Sequence, residues 1–509
     1  MNASVHPVPP RKAERAEYSD GGTRALVERA RRAQQRWGGI SVAQRIGLLR
    51  QFRGLLVEET ATLLNPLQQT RAVSMAEVLV SEIVPLADAC RFLEEEAEQI
   101  LAPFVPQGRR PLWLAGTKLN LRREPLGVVL IIAPSNYPLF IPGVQLLQAI
   151  AAGNAVLVKP GRGTGEVMRT LRDVLVRSGM DRDLATVLDD NDELGVRRVI
   201  AEGADKVVLT GSARTGGAIA EAAAQSFTPC TMELSGCDAA FVLAGADAAL
   251  AAKALVFGMR LNRSRTCMRP HRLFVQENLR DTLLRHLADE INHSNPDIEP
   301  YQPTLAWNRM LADALSGGAK VILGDPENPL GAPMVLEGVD PGSELGQTDA
   351  FLPLLILYSF AEVEQGLRTY DQCTYALGVS IFGEHAEAEK LARRINAGVV
   401  VINDVIIPTA DPRLPFSGRK RSGFGVTRGA EGLLEMTRVK GVSTRQSNYR
   451  HLDPLHPEDI EKDTEFFLAY LQMAHGAGLK RRLRGVVSLI RAGMNRARSR
   501  NLRSGGARS

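Results

Sequence analysis

Cysteine is scarce in this sequence, and several motifs that would identify common enzyme classes are missing. The 509 residues include only five cysteines, which are scattered, odd in number and never arranged as CxxC. This excludes a disulfide framework and a zinc ribbon, and it favours a reducing compartment. The HExxH and GxSxG patterns are also absent, so the metalloprotease and serine hydrolase classes lack support. We therefore expect no metal site.

Long hydrophobic runs are absent as well. No stretch reaches the roughly 18 apolar residues that a membrane-spanning helix needs. The first 20 residues have no apolar core of the kind found in a secretory signal. These two absences predict a cytoplasmic protein.

Acidic residues are missing from the last 31 positions, which hold ten Lys or Arg. The formal net charge of +5 therefore hides a mildly acidic body, and we expect no binding to nucleic acid. Within this tail, apolar residues recur on one face of a helix: Leu479, Leu483, Val486, Val487, Ile490 and Met494. A basic amphipathic helix over 479–509 is typical of peripheral contact with an anionic membrane. The alternative is a solvated or partner-bound extension, because Gly485 and Gly493 weaken the helix.

The rest of the chain shows two patterns of apolar residues. From Thr23 to about Ile100, apolar residues recur at three-and-four spacing, which predicts helices. Short apolar runs such as "GVVLIIAP", "AVLVKP" and "KVVLTGS" then alternate with helical segments, and a second such series begins near Ala246. Buried strands joined by helices indicate parallel sheets covered on both faces. The sequence predicts an α/β protein with two doubly wound parallel-sheet domains.

Polar residues that could take part in binding or catalysis follow these strands. Asn136 ends the first run, Lys159 ends the second, and "GSARTGG" opens a helix after the third. Ligands bind beyond the carboxyl ends of such strands, and helix N-termini favour phosphate. Taken singly these signals are weak, as is Glu233 after a later strand. Cys267 lies in "LNRSRTCMRPHRLFV" among three arginines, whose positive charge would favour the nucleophilic thiolate.

Read in order, the motifs are PSNYP, KPG, LTGS, ELSG, Cys267, DAFLP and PFSGRKRSGFG. This set resembles the NAD(P)-dependent aldehyde dehydrogenase superfamily over roughly residues 23–446. The spacings agree with the resemblance: Asn136 and Lys159 are 23 residues apart, and Glu233 and Cys267 are 34 apart.

The resemblance implies a mechanism. Cys267 would attack the aldehyde carbon, and the Asn136 amide with a backbone N–H at the cysteine would hold the oxyanion. Hydride transfer from this thiohemiacetal would leave a thioester on Cys267. Glu233 would then activate the water that hydrolyses it.

The resemblance also implies a cofactor, NAD or NADP. Arg162 stands where relatives often have a Glu that repels the 2′-phosphate of NADP, so it should attract that phosphate. The other residues expected at the cofactor are Lys159, Gly211, Ser212, Asp349 and Phe351.

Domain boundaries and assembly follow from the same resemblance. We expect a homodimer that forms through a small β flap and a C-terminal strand. The predicted segments are a disordered arm (1–22), a cofactor-binding domain (23–115 and 128–233), oligomerisation strands (116–127 and 436–446), a catalytic domain (234–435) and a C-terminal extension (447–509).

The sequence departs from the family pattern near the reactive residues. Ser264 and Arg265 replace a common Gly-Gln pair, and Asp349 replaces a longer Glu. The added charge at this loop predicts a lowered pKa for Cys267, an anionic substrate group or a distorted oxyanion donor. Two alternatives therefore stay open: a CoA-acylating relative, and a degenerate member that acts as a membrane-recruited binding protein.

Overall fold

The computed structural model describes residues 20–71, 73–111, 114, 116–293, 304–446 and 460–506. The chain divides into two compact units. The first comprises residues 1–104 and 121–440, and the second comprises 105–120 and 441–509. Most of the predicted N-terminal arm lies outside the described residues.

The first unit opens with helices, as the three-and-four pattern predicts. Helix α2 begins at a capping box, in which the Ser41 side chain accepts the Gln44 N–H and the Gln44 side chain accepts the Ser41 N–H. A π-helical turn over Leu79–Ile83 interrupts the last helical segment, and such turns often mark functional sites. The helices are α1 (Asp20–Gly38), α2 (Val42–Glu58), α3 (Thr60–Arg71), α4 (Met75–Val78) and α5 (Val84–Ile100).

The first sheet has six strands in the order β16-β6-β5-β2-β3-β4. Neighbours are parallel except for β16, which runs antiparallel to β6. The central strands are apolar on both faces and fully buried, because helices cover the sheet on each side. The strands are β2 (Val128–Ile132), β3 (Ala155–Lys159), β4 (Ala185–Val187), β5 (Lys206–Thr210), β6 (Cys230–Glu233) and β16 (Gly423–Phe424).

The second sheet has seven strands in the order β14-β13-β7-β8-β11-β10-β9. It is parallel except for β9, which pairs antiparallel with β10. The strands are β7 (Ala239–Val242), β8 (Arg272–Gln276), β9 (Lys320–Leu323), β10 (Met334–Glu337), β11 (Leu354–Phe360), β13 (Gly378–Phe382) and β14 (Val399–Ile402). The molecule is thus α/β, as predicted. The cofactor-binding and catalytic boundaries stay predictions.

Connecting helices join successive strands of both sheets. They are α6 (Phe140–Ala152), α7 (Gly165–Arg177), α8 (Glu193–Ala201), α9 (Ala213–Gln225), α10 (Ala248–Arg260), α11 (Arg280–His293), α12 (Leu305–Ser316), α13 (Glu344–Gln347), α14 (Val363–Asp371), α15 (His385–Ala392) and α16 (Gly429–Glu435). A two-residue pair, β12 (Tyr375–Ala376) with β15 (Arg419–Lys420), completes this part of the fold.

The remaining elements include the strands predicted for oligomerisation. Strand β1 (Thr117–Pro125) and strand β17 (Thr437–Arg445) form a two-stranded sheet. The second unit ends in two helices, α17 (Ile460–His475) and α18 (Leu479–Gly506). Within the described residues, none of the helices has the length and apolarity needed to cross a membrane.

Candidate active site

The carboxyl ends of the strands in the first sheet open into a cavity of about 850 Å³. Asn136 follows β2, Lys159 ends β3, and Ser212 follows β5 and caps helix α9 by accepting the Thr215 N–H. The cavity is also lined by Arg162, Gly211, Glu233, Cys267 and Phe351. This cavity therefore gathers eight of the nine residues predicted for the site.

The lining of this cavity fits a dinucleotide. Lys159, Arg162, Arg197 and Arg214 supply positive charge along its wall, and the N-terminus of α9 offers backbone N–H groups. Burial lowers the pKa of Lys159 from its ordinary value, and the nearby carboxylates of Glu193 and Asp190 oppose this shift by raising it. A phosphate-bearing ligand with sugar hydroxyls would find complementary charge and hydrogen-bond donors in this cavity.

A second cavity, of about 520 Å³, lies on the other side of Cys267 and Glu233. Its wall is dominated by apolar and aromatic side chains, among them Val80, Phe140, Phe257, Ile406 and Phe416. Cys267 and Glu233 line both cavities. The thiol and the carboxyl therefore lie where a polar cavity meets an apolar one.

The loop before Cys267 has an unusual backbone. Asn262, Arg263 and Ser264 have φ values of 53°, 54° and 67°, which are left-handed conformations that cost energy for residues other than glycine. Asn262 stabilises the loop by donating to the carbonyl oxygens of Asn136 and Arg265 at 2.9 and 3.3 Å. The sequence departure at Ser264 thus falls at a position where glycine would be relaxed.

Asn136 contacts this loop directly. Its side-chain amide donates to the Arg265 carbonyl oxygen at 2.8 Å, and its own oxygen accepts the Tyr137 N–H at 3.1 Å. These two bonds fix the orientation of the amide group beside the peptide that joins Arg265 to Thr266, just before Cys267. One of the two amide N–H groups is engaged by Arg265, which leaves the other for a ligand.

Glu233 ends strand β6 and is almost fully buried, with 4% of its surface exposed. Its carboxylate accepts a long hydrogen bond of 3.4 Å from Thr427, and its backbone oxygen accepts the Gly211 N–H at 3.0 Å. Burial raises the pKa of Glu233, while the Arg428 guanidinium lowers it. A carboxyl with a raised pKa is a stronger proton acceptor, once ionised, than an exposed one.

The electrostatics of Cys267 differ from the sequence prediction. Burial raises the pKa of its thiol, and the charges of Glu233 and Asp238 raise it further. The cation that lowers this pKa is Arg428, which the sequence analysis did not identify. The arginine-rich loop does not act as predicted, because Arg269 turns away and Arg265 is exposed.

Asp349 is the one predicted residue that the cavity does not contain. Its side chain is 3% exposed and forms a short ion pair with the fully buried Arg269. The carboxylate also accepts the Phe351 N–H at 2.8 Å, so only Phe351 reaches the cavity wall. The predicted contact of Asp349 with the nicotinamide ribose stays a prediction, and in this structure the Asp349 carboxylate is paired with Arg269.

Arg428 is the main residue that sequence reasoning missed. It follows the PFSGRKRSGFG motif by three residues and opens helix α16. No periodicity or motif spacing distinguishes it, because its relation to Cys267 depends on how distant segments fold together.

The described residues contain no group of three or more potential metal ligands.

Comparisons with known proteins agree with this geometry. Residues 12–442 match the model of the aldehyde dehydrogenase family. The chain is 28% identical to 4,4'-diapolycopene aldehyde oxidase from Methylomonas sp, which covers 82% of this chain and 81% of that protein. It is 29% identical to the protein named "Putative succinate-semialdehyde dehydrogenase (NADP(+))" from Mycolicibacterium smegmatis, with 84% and 85% covered.

Solved structures show the same fold. Betaine aldehyde dehydrogenase from Staphylococcus aureus superposes with a TM-score of 0.77 at 21% identity, over 86% of this chain and 92% of that one. The family match spans both sheets and all eight residues that line the polar cavity. The chain therefore belongs to the aldehyde dehydrogenase family and is an oxidoreductase that oxidises an aldehyde with NAD or NADP.

Proposed function

We propose that Cys267, Glu233 and Asn136 carry out this oxidation. Cys267 attacks the carbonyl carbon and forms a thiohemiacetal, whose oxyanion accepts the free N–H of the Asn136 amide. Bound NAD or NADP supplies the hydride acceptor. Glu233 takes a proton from water, and that water releases the acid from the Cys267 thioester. The observation that carries this proposal is that Cys267 and Glu233 line both cavities.

The substrate that this site fits is an apolar, long-chain aldehyde. The cavity opposite the polar one is lined chiefly by aliphatic and aromatic side chains, and burying each methylene of a ligand there gains about 0.8 kcal/mol. Among the relatives, one is named 4,4'-diapolycopene aldehyde oxidase. The relative named for succinate semialdehyde represents the competing, anionic class.

Turnover of an aldehyde panel tests both proposals. NAD(P)H absorbance would be followed with aldehydes from short semialdehydes to long alkyl chains, for the native protein and Cys267→Ala. We expect kcat/KM to rise with chain length and to disappear in Cys267→Ala. A preference for semialdehydes would contradict the apolar substrate, and turnover that survives in Cys267→Ala would contradict the proposed nucleophile.

We also propose that the last helices bind an anionic membrane. Helix α18 approaches α17 closely at Gly485, where an added Cβ would lie 2.3 Å from the Met473 nitrogen. Small residues form this contact, so large apolar side chains remain exposed, including Leu483, Val487 and Ile490 at 57–60%. Exposed arginines flank them on the same helix. Apolar and cationic groups together match the surface of an anionic bilayer.

Homodimerisation is the second assembly that we propose. Strands β1 and β17 form a separate two-stranded sheet whose side chains are mostly exposed or only partly buried. Backbone pairing at such an edge is available to a second copy of the chain. Sedimentation equilibrium would return a dimer mass, and a monomer mass at all concentrations would contradict the proposal.

A further inference from the structure

One arginine of the apolar cavity, Arg428, is unexplained by the proposed chemistry. Arg428 lines this cavity together with Cys267 and Glu233. Its guanidinium lies 4.2 Å from the centre of the Phe416 ring and 5.6 Å from that of Phe140. Charged side chains in apolar surroundings are costly, so a residue retained there has to be compensated by specific partners.

The backbone at Arg428 is strained in the conformation that directs its side chain into the cavity. Arg428 has φ 64° and ψ 168°, a conformation that residues other than glycine rarely adopt, and such strain concentrates at functional sites. Its guanidinium donates to the Thr409 carbonyl oxygen through a short hydrogen bond. This bond and the two aromatic faces hold the guanidinium in a defined place.

The charges around Cys267 show what this cation does. The carboxyl groups of Glu233, Asp238 and Asp349 all raise the pKa of the thiol, and Arg428 lowers it. The same guanidinium lowers the pKa of Glu233. Two acidic groups that line one cavity disfavour each other's ionisation, and a cation in the same cavity relieves the repulsion.

Other charged groups of this cavity are engaged elsewhere. Glu77 accepts the Asn262 N–H at 2.7 Å, and Arg260 donates to the Ile291 carbonyl oxygen at 3.4 Å. Tyr137 is a neutral partner of Thr266, because burial raises the pKa of its hydroxyl. Arg428 is therefore the cation of this cavity that acts on both reactive groups.

We propose that Arg428 is a positioning residue whose charge, held at the wall of the cavity, favours the reactive, ionised forms of the Cys267 thiol and the Glu233 carboxyl. The proposal rests on the roles given above to Cys267 and Glu233. The guanidinium takes no part in bond making. It acts through the Cys267 thiol and the Glu233 carboxyl. The Phe416 and Phe140 rings pack against the guanidinium, so the rest of the cavity wall can stay apolar.

Thiol alkylation tests this inference without any aldehyde. Iodoacetamide labelling of Cys267 would be measured across pH by peptide mass spectrometry, for the native protein, Arg428→Met and Arg428→Lys. Removing a cation at close range raises a neighbouring thiol's pKa by about one unit or more. We expect the labelling midpoint of Arg428→Met to move up by at least about one pH unit, and that of Arg428→Lys to stay near the native value.

Two internal controls separate this effect from damage to the fold. Arg413→Gln removes an exposed arginine, 78% exposed and paired with Asp411, and should leave the midpoint unchanged. Labelling of Cys230, which is also partly exposed, should be equal in all variants. If Arg428→Met unfolds at a lower temperature than the native protein, Arg428→Gln is used instead, because its amide can still donate to the Thr409 carbonyl oxygen.

Turnover provides the second readout. Arg428→Met should lower kcat with little change in KM, because the cavity stays apolar while both ionised groups become rarer. A native labelling midpoint in folded Arg428→Met would overturn the inference. That result is distinct from failure of the proposed function, which would appear as turnover by Cys267→Ala.

Discussion

At the scale of single residues, the site poses an electrostatic problem. The Cys267 thiol and the Glu233 carboxyl line the same cavities, and the ionisation of each makes the other harder to ionise. Burial raises the pKa of both groups. The arrangement therefore suits a reaction in which the two charges are needed at different steps, first on Cys267 and later on Glu233.

Replacing Glu233 with Gln should separate these two steps. Because the Glu233 charge raises the pKa of Cys267, its removal should shift the alkylation midpoint of Cys267 to lower pH. The hydrolytic step loses its base, so kcat should fall by roughly a hundredfold or more. Rapid-mixing absorbance should then show a burst of one NAD(P)H per site, followed by slow turnover.

Steady turnover at the native rate in Glu233→Gln would show that another group activates water. Glu431 offers a matched control for the same substitution. It lies in the first turn of helix α16 and does not line either cavity. Glu431→Gln should therefore keep both the native alkylation midpoint and native turnover.

Arg162 makes a separate prediction about the cofactor. Its guanidinium lies 3.7 Å from Glu193, and both side chains are about 80% exposed, so the pair is readily separated. A 2′-phosphate would replace the carboxylate with a doubly charged partner. Arg162→Ser should raise KM for NADP by roughly tenfold, since a charge-assisted hydrogen bond contributes about 1.5–3 kcal/mol, and leave KM for NAD unchanged.

A matched control is Arg169→Ser, which removes a partly exposed arginine paired with Glu166 at 3.2 Å outside the polar cavity. It should change KM for neither cofactor. Equal effects of Arg162→Ser on NAD and NADP would mean that Arg162 does not discriminate between them.

The site residues were predictable to different degrees. Asn136, Lys159 and Glu233 follow or end buried strands, and parallel topology brings strand ends together, so their convergence could be predicted from the sequence. The side-chain directions of Asp349 and Arg428 could not. Asp349 forms an ion pair with Arg269 in the protein interior. Arg428 lines the same cavity as Cys267 only because distant segments of the chain pack together.

At the scale of elements, the loop that precedes Cys267 combines strain with an unpaired group. Ser264 is fully buried at φ 67°, and its hydroxyl has no hydrogen-bond partner among the described residues. Ser264→Gly removes both costs and should raise the free energy of unfolding by about 1 kcal/mol or more. Urea denaturation measures this change.

Ser264→Ala distinguishes the two causes. Alanine removes the buried hydroxyl but keeps the left-handed backbone penalty, so its stability should lie between those of the native protein and Ser264→Gly. If alanine stabilises the protein as much as glycine, the backbone conformation contributes nothing. The helices and sheets around this loop were predictable from hydrophobic periodicity, whereas its backbone was not, because packing rather than local preference sets φ.

At the scale of the whole molecule, the two proposals made for the apolar cavity and for the basic tail support each other if the substrate is a long-chain aldehyde. Such a substrate partitions into bilayers, so an enzyme that binds an anionic membrane would meet it at high local concentration. The tail helix was predictable from its periodicity, and α18 runs from Leu479 to Gly506. Its pairing with α17 was not predicted, because the contact depends on small residues such as Gly485 and Ala492.

Vesicle sedimentation of the full chain tests the membrane proposal. The protein should pellet with vesicles rich in phosphatidylglycerol and stay in solution with phosphatidylcholine alone. Replacing Arg481, Arg482 and Arg484 with Gln should weaken binding by roughly a hundredfold, since each cation near the surface contributes about 1 kcal/mol. Replacing Val487 and Ile490 with Ser should weaken it with the charges intact, because both side chains are exposed and would insert. Native binding by both variants would exclude α18 as the contact, and binding lost in the arginine variant alone would reduce the role of the helix to electrostatic attraction.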